Sequence, residues 1–246
     1  MRLKIPCGDF DFQKTFGAGL FYFFYGAEPV RRVVFEGQSL DLSFRQKGDE
    51  VWIDSAQKPK NPRALKERIR YCLGLHEDIS EFHRLCRKDP VLKGHFGKIQ
   101  GTRIISAFSD FEALVGAIVS QNNSYKNYRK KMLEIYSTIG FEPAAFTEKN
   151  LEGMGLGYKV PFLLNLAKDF GKKELLEIGG IGPYSVRLFE IFQRRNYNAF
   201  YIDCLTEKIM RDQYGVTKNL DAESIRIWGE WRGLAEAYLQ RFFEAK

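Results

Sequence analysis

The sequence predicts a mainly α-helical protein with a small β-rich region at its N-terminus, an α+β arrangement in which helices dominate. Three observations lead there. Residues 8 to 55 carry short aromatic or β-branched runs separated by glycines, the pattern of strands and hairpin turns. A polar, proline-bearing break, Lys58-Pro59-Lys60-Asn61-Pro62, follows. Beyond it the chain shows helix caps and apolar residues at helical spacing almost to its end.

Taken in order, Leu20 to Tyr25, Val30 to Phe35, Leu40 to Phe44 and Glu50 to Asp54 read as strands, with Gly26, Gly37 and Gly48 at the turns. Asn61 caps a helix whose first residue is Pro62, where a missing N–H costs nothing, and that helix runs to about Leu73. Ser109-Asp110-Phe111-Glu112 forms a capping box ahead of the stripe Leu114, Ala117 and Ile118. A helix from about Ser124 to Ile139 sets Tyr125, Tyr128, Met132 and Ile135 on one side, with Lys126, Arg129, Lys130 and Lys131 around the rest. Further helices fit 160–170, 172–178, 183–195, 204–214, 222–228 and 230–245. The chain holds neither an internal repeat nor a low-complexity tract.

Composition narrows the function classes. With 246 residues and 44% hydrophobic residues, the chain can build a packed core. No apolar run approaches the ~20 residues a membrane helix needs, and the first residues lack an apolar stretch of signal-peptide length. A cytoplasmic or nucleoid protein is expected. A formal net charge of +7, from 38 Lys+Arg against 31 Asp+Glu, favours a polyanionic partner. Cys7, Cys72, Cys86 and Cys204 are too scattered for a zinc site or a redox pair and read as small buried apolar residues. His76, His83 and His95 share one segment without a carboxylate or thiol to complete a ligand set, so they read as structural or surface residues.

The strongest motif is Leu175-Leu176-Glu177-Ile178-Gly179-Gly180-Ile181-Gly182-Pro183-Tyr184-Ser185-Val186. A short helix ends at a glycine-rich turn, and Pro183 opens the next helix. Backbone amides of Gly179, Gly180 and Gly182, with the positive end of that helix, can converge on one phosphate oxygen. The turn carbonyls offer a site for a structural monovalent cation. A tight corner between helices with no ligand would read the same way taken alone. About twenty residues on stands Phe200-Tyr201-Ile202-Asp203-Cys204-Leu205-Thr206, whose aspartate starts a helix and would serve as its cap in any fold.

These two segments together resemble the helix-hairpin-helix DNA glycosylase superfamily, closest to its 3-methyladenine glycosylase II and 8-oxoguanine glycosylase branches. Leu156-Gly157-Tyr158-Lys159-Val160 resembles the 8-oxoguanine branch, and Trp228-Gly229-Glu230-Trp231-Arg232-Gly233-Leu234-Ala235 resembles the final helix of both. The likeness covers roughly residues 100 to 246, and more loosely the β-rich piece. It implies that fold, with an active-site cleft between two helical subdomains. One subdomain would comprise 76–104 plus 199–246, the other 105–198 with the hairpin, and a β-rich domain would occupy 1–75.

The resemblance implies an enzyme of base excision repair that flips a damaged base out of double-stranded DNA and hydrolyses its glycosidic bond, acting as a monomer. Asp203 would be the catalytic carboxylate, stabilising positive charge that develops on the sugar. Relatives that also nick the strand carry a lysine two residues after the last hairpin glycine; here that position is Tyr184, which implies a water nucleophile and weak or no lyase activity. Asn122, then Gln121, would plug the gap left by the flipped base. Tyr184, Leu205, Glu236 and Gln240 would line the base pocket, with Phe21, Tyr22 or Phe23 available for stacking. Lys126, Arg129, Lys130, Lys172, Lys173 and Arg187 would follow the phosphates. With only Cys204 beyond Cys86, no iron–sulfur cluster is expected. A π-rich pocket points to alkylated purines; an oxidised-purine enzyme of the 8-oxoguanine type and a non-catalytic DNA-binding module are the alternatives.

Overall fold

A computed structural model of the chain describes residues 1–18 and 29–243. In chain order its elements are β1 (Arg2–Pro6), α1 (Phe12–Ala18), β2 (Val30–Phe35), β3 (Gln38–Lys47), β4 (Glu50–Asp54), α2 (Pro62–Cys72), α3 (Ser80–Lys88), α4 (Phe96–Ile99), α5 (Asp110–Ser120), α6 (Tyr125–Thr138), α7 (Glu148–Leu151), α8 (Lys159–Asp169), α9 (Pro183–Phe192), α10 (Cys204–Tyr214), α11 (Leu220–Trp228) and α12 (Arg232–Phe243).

The strands form one antiparallel sheet in the order β1-β4-β3-β2. Alternation decides its two faces: Ile5, Val33, Leu40, Leu42, Phe44, Val51 and Ile53 point inward and are buried against Leu65, Ile69 and Cys72 of α2. Asn61 caps α2 as its spacing suggested, its side chain accepting the Ala64 N–H at 3.0 Å.

Several elements depart from expectation. β1 and α1 were not anticipated; Arg2–Pro6 alternates like a strand, but five residues ending in proline give a faint signal. The expected strand at Leu20 to Tyr25, with Gly26, Phe21, Tyr22 and Phe23, lies outside the described residues. The expected helix over 172–178 is only a 3-10 turn at Leu175–Glu177. Half of the capping box at Ser109 is present, its Oγ accepting the Glu112 N–H at 3.1 Å. The Glu112 carboxylate instead accepts the Phe108 N–H and pairs with Arg31 of β2 at 2.6 Å, both side chains being about 97% buried or more. Its two oxygens are thus engaged by the Arg31 guanidinium and the Phe108 amide.

Two further apolar clusters fill the helical part. One packs α5 against α6, α8 and α9 through Leu114, Ile118, Met132, Leu163 and Phe189. The other gathers α3, α10, α11 and α12 around Phe82, Ile209, Trp228 and Tyr238. Arg195, 4% exposed at its side chain, staples the region where they meet the sheet domain: it pairs with Glu77 at 2.6 Å and donates to the carbonyls of Tyr71, Cys72 and Ile104. Among the described residues no helix is long and apolar enough to cross a membrane.

Candidate active site

The hairpin takes its shape from glycine geometry. Ile181 N–H bonds back to the Ile178 carbonyl at 3.0 Å, and Gly180 sits at φ +99°, where a side chain would be strained. A Cβ on Gly180 would also lie 2.3 Å from the Phe162 side chain. Gly182 differs. Its backbone is extended, and a Cβ there would meet nothing within 4 Å. It is the N-cap of α9 with no side-chain cap, so packing leaves open space directly before the first-turn amides of that helix. Space plus a helix N-terminus suits an anion.

Gln121, expected as a second wedge, is committed elsewhere. Its Nε2 donates to the Gly180 carbonyl and to Ser185 Oγ, both at 3.0 Å, and so braces the hairpin against the end of α5. Asn122 is the first residue expected as the wedge. It is exposed, holds a left-handed φ of +47°, and donates from Nδ2 to Tyr158 Oη at 3.1 Å.

A cavity of about 620 Å³ opens between the loop after α5, the start of α9, and the facing ends of α10 and α12. Gly182, Tyr184 and Asp203 all line it, with Asn122, Tyr125, Tyr128, Phe192, Tyr201, Leu205, Gln240 and Arg241. Among these lining residues Asp203 is the one carboxylate. The corner and the aspartate therefore share one cleft of a size that takes a small ligand.

Asp203 is the N-cap of α10: Oδ1 accepts the Thr206 N–H at 2.8 Å and the Thr206 hydroxyl lies 2.9 Å away. Gln240 Nε2 stands 3.2 Å from both carboxylate oxygens. Capping and a place on the cleft are thus compatible, because Oδ1 serves the helix while the residue lines the cavity. Gln240, an expected base contact, lines the cavity but spends its amide on Asp203 and Thr206 and accepts from the Tyr201 hydroxyl at 2.8 Å. Tyr184 packs edge-on against Tyr201, ring centroids 5.3 Å apart.

Glu236 needs correction. It is 2% exposed and absent from the cavity lining, since its side chain turns beneath α10 to meet Thr206 Oγ1 at 2.6 Å and the Tyr201 N–H at 3.3 Å. A direct contact to a base is closed to it in this arrangement. Arg241, Tyr125 and Tyr128 line the cleft and were not singled out for it. Arg241 stacks its guanidinium over Tyr125 at 5.2 Å, and the only sequence signal was its place one residue after Gln240.

The basic residues divide. Lys126, Lys130, Lys172, Lys173 and Arg187 are exposed and Arg129 is half-buried; Lys173 pairs with Asp169 at 2.9 Å, and Lys172 donates to the Lys168 carbonyl. Cys7, Cys72 and Cys86 are buried, and burial pushes the Cys72 thiol up to about 11, consistent with inert packing. Cys204 is exposed. His76 stacks on Tyr71 and His95 on Phe242, while His83 is buried.

No protein-family profile matches the chain. Over 96% of its length it is 21% identical to a Methanothermobacter thermautotrophicus protein named "Probable N-glycosylase/DNA lyase", covering 94% of that protein. Among solved structures it superposes on the 3-methyladenine DNA-glycosylase of Archaeoglobus fulgidus with a TM-score of 0.79 at 16% identity, covering 98% of this chain and 99% of that one. The apo 8-oxoguanine glycosylase/lyase of Clostridium acetobutylicum gives a TM-score of 0.76 at 20% identity, covering 98% and 96%. The same Clostridium enzyme bound to double-stranded DNA with cytosine opposite 8-oxoguanine gives 0.73.

Proposed function

Starting from a chain that has the helix-hairpin-helix DNA glycosylase fold, we propose that it is a monofunctional DNA glycosylase that removes a flipped, damaged base by hydrolysis. The observation that carries this reading is the single carboxylate among the cavity-lining residues, placed beside an open helix N-terminus. The α9 N-terminus and the amides of Gly179, Gly180 and Gly182 hold the phosphodiester, and Asn122 enters the gap left in the stack. A monovalent cation, if bound by the turn carbonyls, would add positive charge at that phosphate. The carbonyls of Gly179 and Gly180 each accept a side-chain amide, from Asn165 and Gln121, and keep a second lone pair for it.

The N-glycosidic bond breaks with its electron pair leaving on the base, and Asp203 opposes the positive charge that builds on the sugar. A water then bonds the anomeric carbon and gives up a proton, for which Asp203 is the acceptor. At the position where a lysine would form an imine stands Tyr184, which supports a water nucleophile. Such an enzyme works as a monomer on the nucleoid.

The rings of Tyr125, Tyr128, Tyr184, Tyr201 and Phe192 favour a cationic alkylated purine. Arg241 favours the second reading, an oxidised purine, because a lining cation repels a cationic base and donates to a carbonyl oxygen. Duplexes carrying 3-methyladenine, 8-oxoguanine, hypoxanthine or uracil, with released base identified by mass spectrometry, separate these. Release of 3-methyladenine is expected. Release of 8-oxoguanine alone selects the second reading, and release of no base at all from a wider lesion panel would leave a DNA-binding module.

A further inference from the structure

Beneath the cleft, two carboxylates share one hydroxyl. Thr206 Oγ1 lies 2.9 Å from Asp203 Oδ1 and 2.6 Å from Glu236 Oε1, and Gln240 Nε2 donates to the same oxygen at 2.9 Å. A threonine hydroxyl has one hydrogen to give and two lone pairs to fill. If both acids were ionised, that hydrogen would serve one of them, and the other short contact would set acceptor against acceptor with nothing between. One more proton belongs in the network.

Its place follows from the surroundings of the two acids. Asp203 borders the cavity, accepts the Thr206 N–H and the Gln240 amide, and sits at a helix N-terminus, so its oxygens already meet N–H donors. Glu236 is 2% exposed, accepts one backbone N–H from Tyr201, and forms no ion pair among the described residues. The charged groups that act on it are Asp203, from the start of α10, which opposes a second negative charge, and Arg187 of α9, an exposed cation that favours one. Burial, joined by the Asp203 charge, outweighs the hydrogen bonds from Thr206 and Tyr201 and the pull of Arg187, and raises the Glu236 carboxyl well above its ordinary range.

We propose that Glu236 is a neutral carboxylic acid at neutral pH and a positioning residue for Asp203: its Oε1–H donates to Thr206 Oγ1, whose own hydrogen then points at Asp203 Oδ1. This rests on the reading of Asp203 as the catalytic carboxylate. In that state every short contact carries one hydrogen. Thr206 holds Oδ1 on the cap, and Gln240 spans both oxygens of a carboxylate that lines the cleft. Loss of the Glu236 proton would turn the Thr206 hydrogen away from Asp203 and place a second negative charge behind it.

The test uses the full-length protein, a duplex that it cleaves, and single-turnover rates with binding measured separately. Thr206→Val is expected to slow base release on the order of tenfold, the worth of one hydrogen bond to a charged group, while duplex affinity holds. Thr206→Ser restores the rate. Glu236→Leu is expected to slow release similarly. Glu236→Gln rescues it, because the amide N–H replaces the acid O–H and the amide oxygen still accepts from Tyr201. Should the leucine variant fail to fold, infrared spectroscopy of the native protein decides: a protonated-carboxyl carbonyl band at neutral pH must vanish in Glu236→Gln. Absence of such a band, or a glutamine variant as slow as the leucine one, overturns the proposal. Asp203→Asn keeps the two levels apart. If it is inactive while Thr206→Val is unimpaired, only the positioning role fails; if it is active, the role of Asp203 fails and this inference with it.

Discussion

Two glycines of the hairpin, Gly180 and Gly182, should respond in different ways to the same added methyl group. At Gly180 an alanine meets a left-handed φ of +99° and a Cβ position 2.3 Å from the Phe162 side chain. The backbone conformation costs on the order of 1–3 kcal/mol, and forcing Phe162 aside adds roughly 1–3 kcal/mol. Gly180→Ala should therefore lose about 2–6 kcal/mol, a large share of the ~5–15 kcal/mol that holds a typical domain together. At Gly182 the backbone is extended and a Cβ meets nothing within 4 Å, so Gly182→Ala should fold with a change inside about 0.5 kcal/mol. Its methyl group, however, stands where a phosphate would approach the α9 amides. Duplex affinity should fall roughly tenfold, with about one unit lost from the slope of log affinity against log salt. Urea denaturation and fluorescence anisotropy at several salt concentrations read both quantities. A Gly182→Ala protein that binds duplex with native affinity and native salt slope would refute the phosphate site.

Other outcomes follow from the same structure. Arg195→Ala strands the buried Glu77 carboxylate and three backbone carbonyls, and should cost about 3–5 kcal/mol by urea denaturation. Burial, aided by Arg103 and Arg87, holds the His83 imidazole below its usual pKa, and among the described residues its Nε2 has no hydrogen-bond partner, as suits a neutral ring. As pH falls through ~6.5 the unfolded chain takes a proton that the folded chain refuses, so stability should drop by at most about 1.4 kcal/mol per pH unit from this group. His83→Gln should flatten the decline of stability between neutral and mildly acid pH; an unchanged slope would remove His83 as its source. Borohydride should trap little covalent protein–DNA adduct with the native chain, and Tyr184→Lys, which puts an amine on the cleft, should raise the trapped fraction. A robust adduct from the native chain would contradict hydrolysis by water alone.

What could be read from the sequence was local. The turn at Gly179 to Gly182, the Pro183 helix start and the Asp203 cap depend on residues within a few positions of one another, and each is found where its chemistry requires it. What could not be read depends on partners far along the chain. Gln121 is bound to Gly180 and Ser185, 59 and 64 positions away, and a polar interhelix turn gives no hint of that. Glu236 and Gln240 are four residues apart on one helix and share a face, so the resemblance to the final helix of the glycosylase family implied one pocket for both. Both reach Thr206 where α12 packs against α10, but Glu236 is buried there and Gln240 also lines the cleft. The Arg31–Glu112 pair spans 81 positions and takes the glutamate out of the capping box that local pattern suggested.

The central claim is that one carboxylate drives base release from this cleft, and Asp203→Asn measures it most directly. The asparagine keeps an oxygen to cap α10 but carries no charge to oppose the developing cation. Single-turnover base release from a lesion that the native protein cleaves should fall by about 10²–10⁴-fold, with duplex binding and the unfolding midpoint near native values. Native rates of release from the asparagine variant would contradict the account.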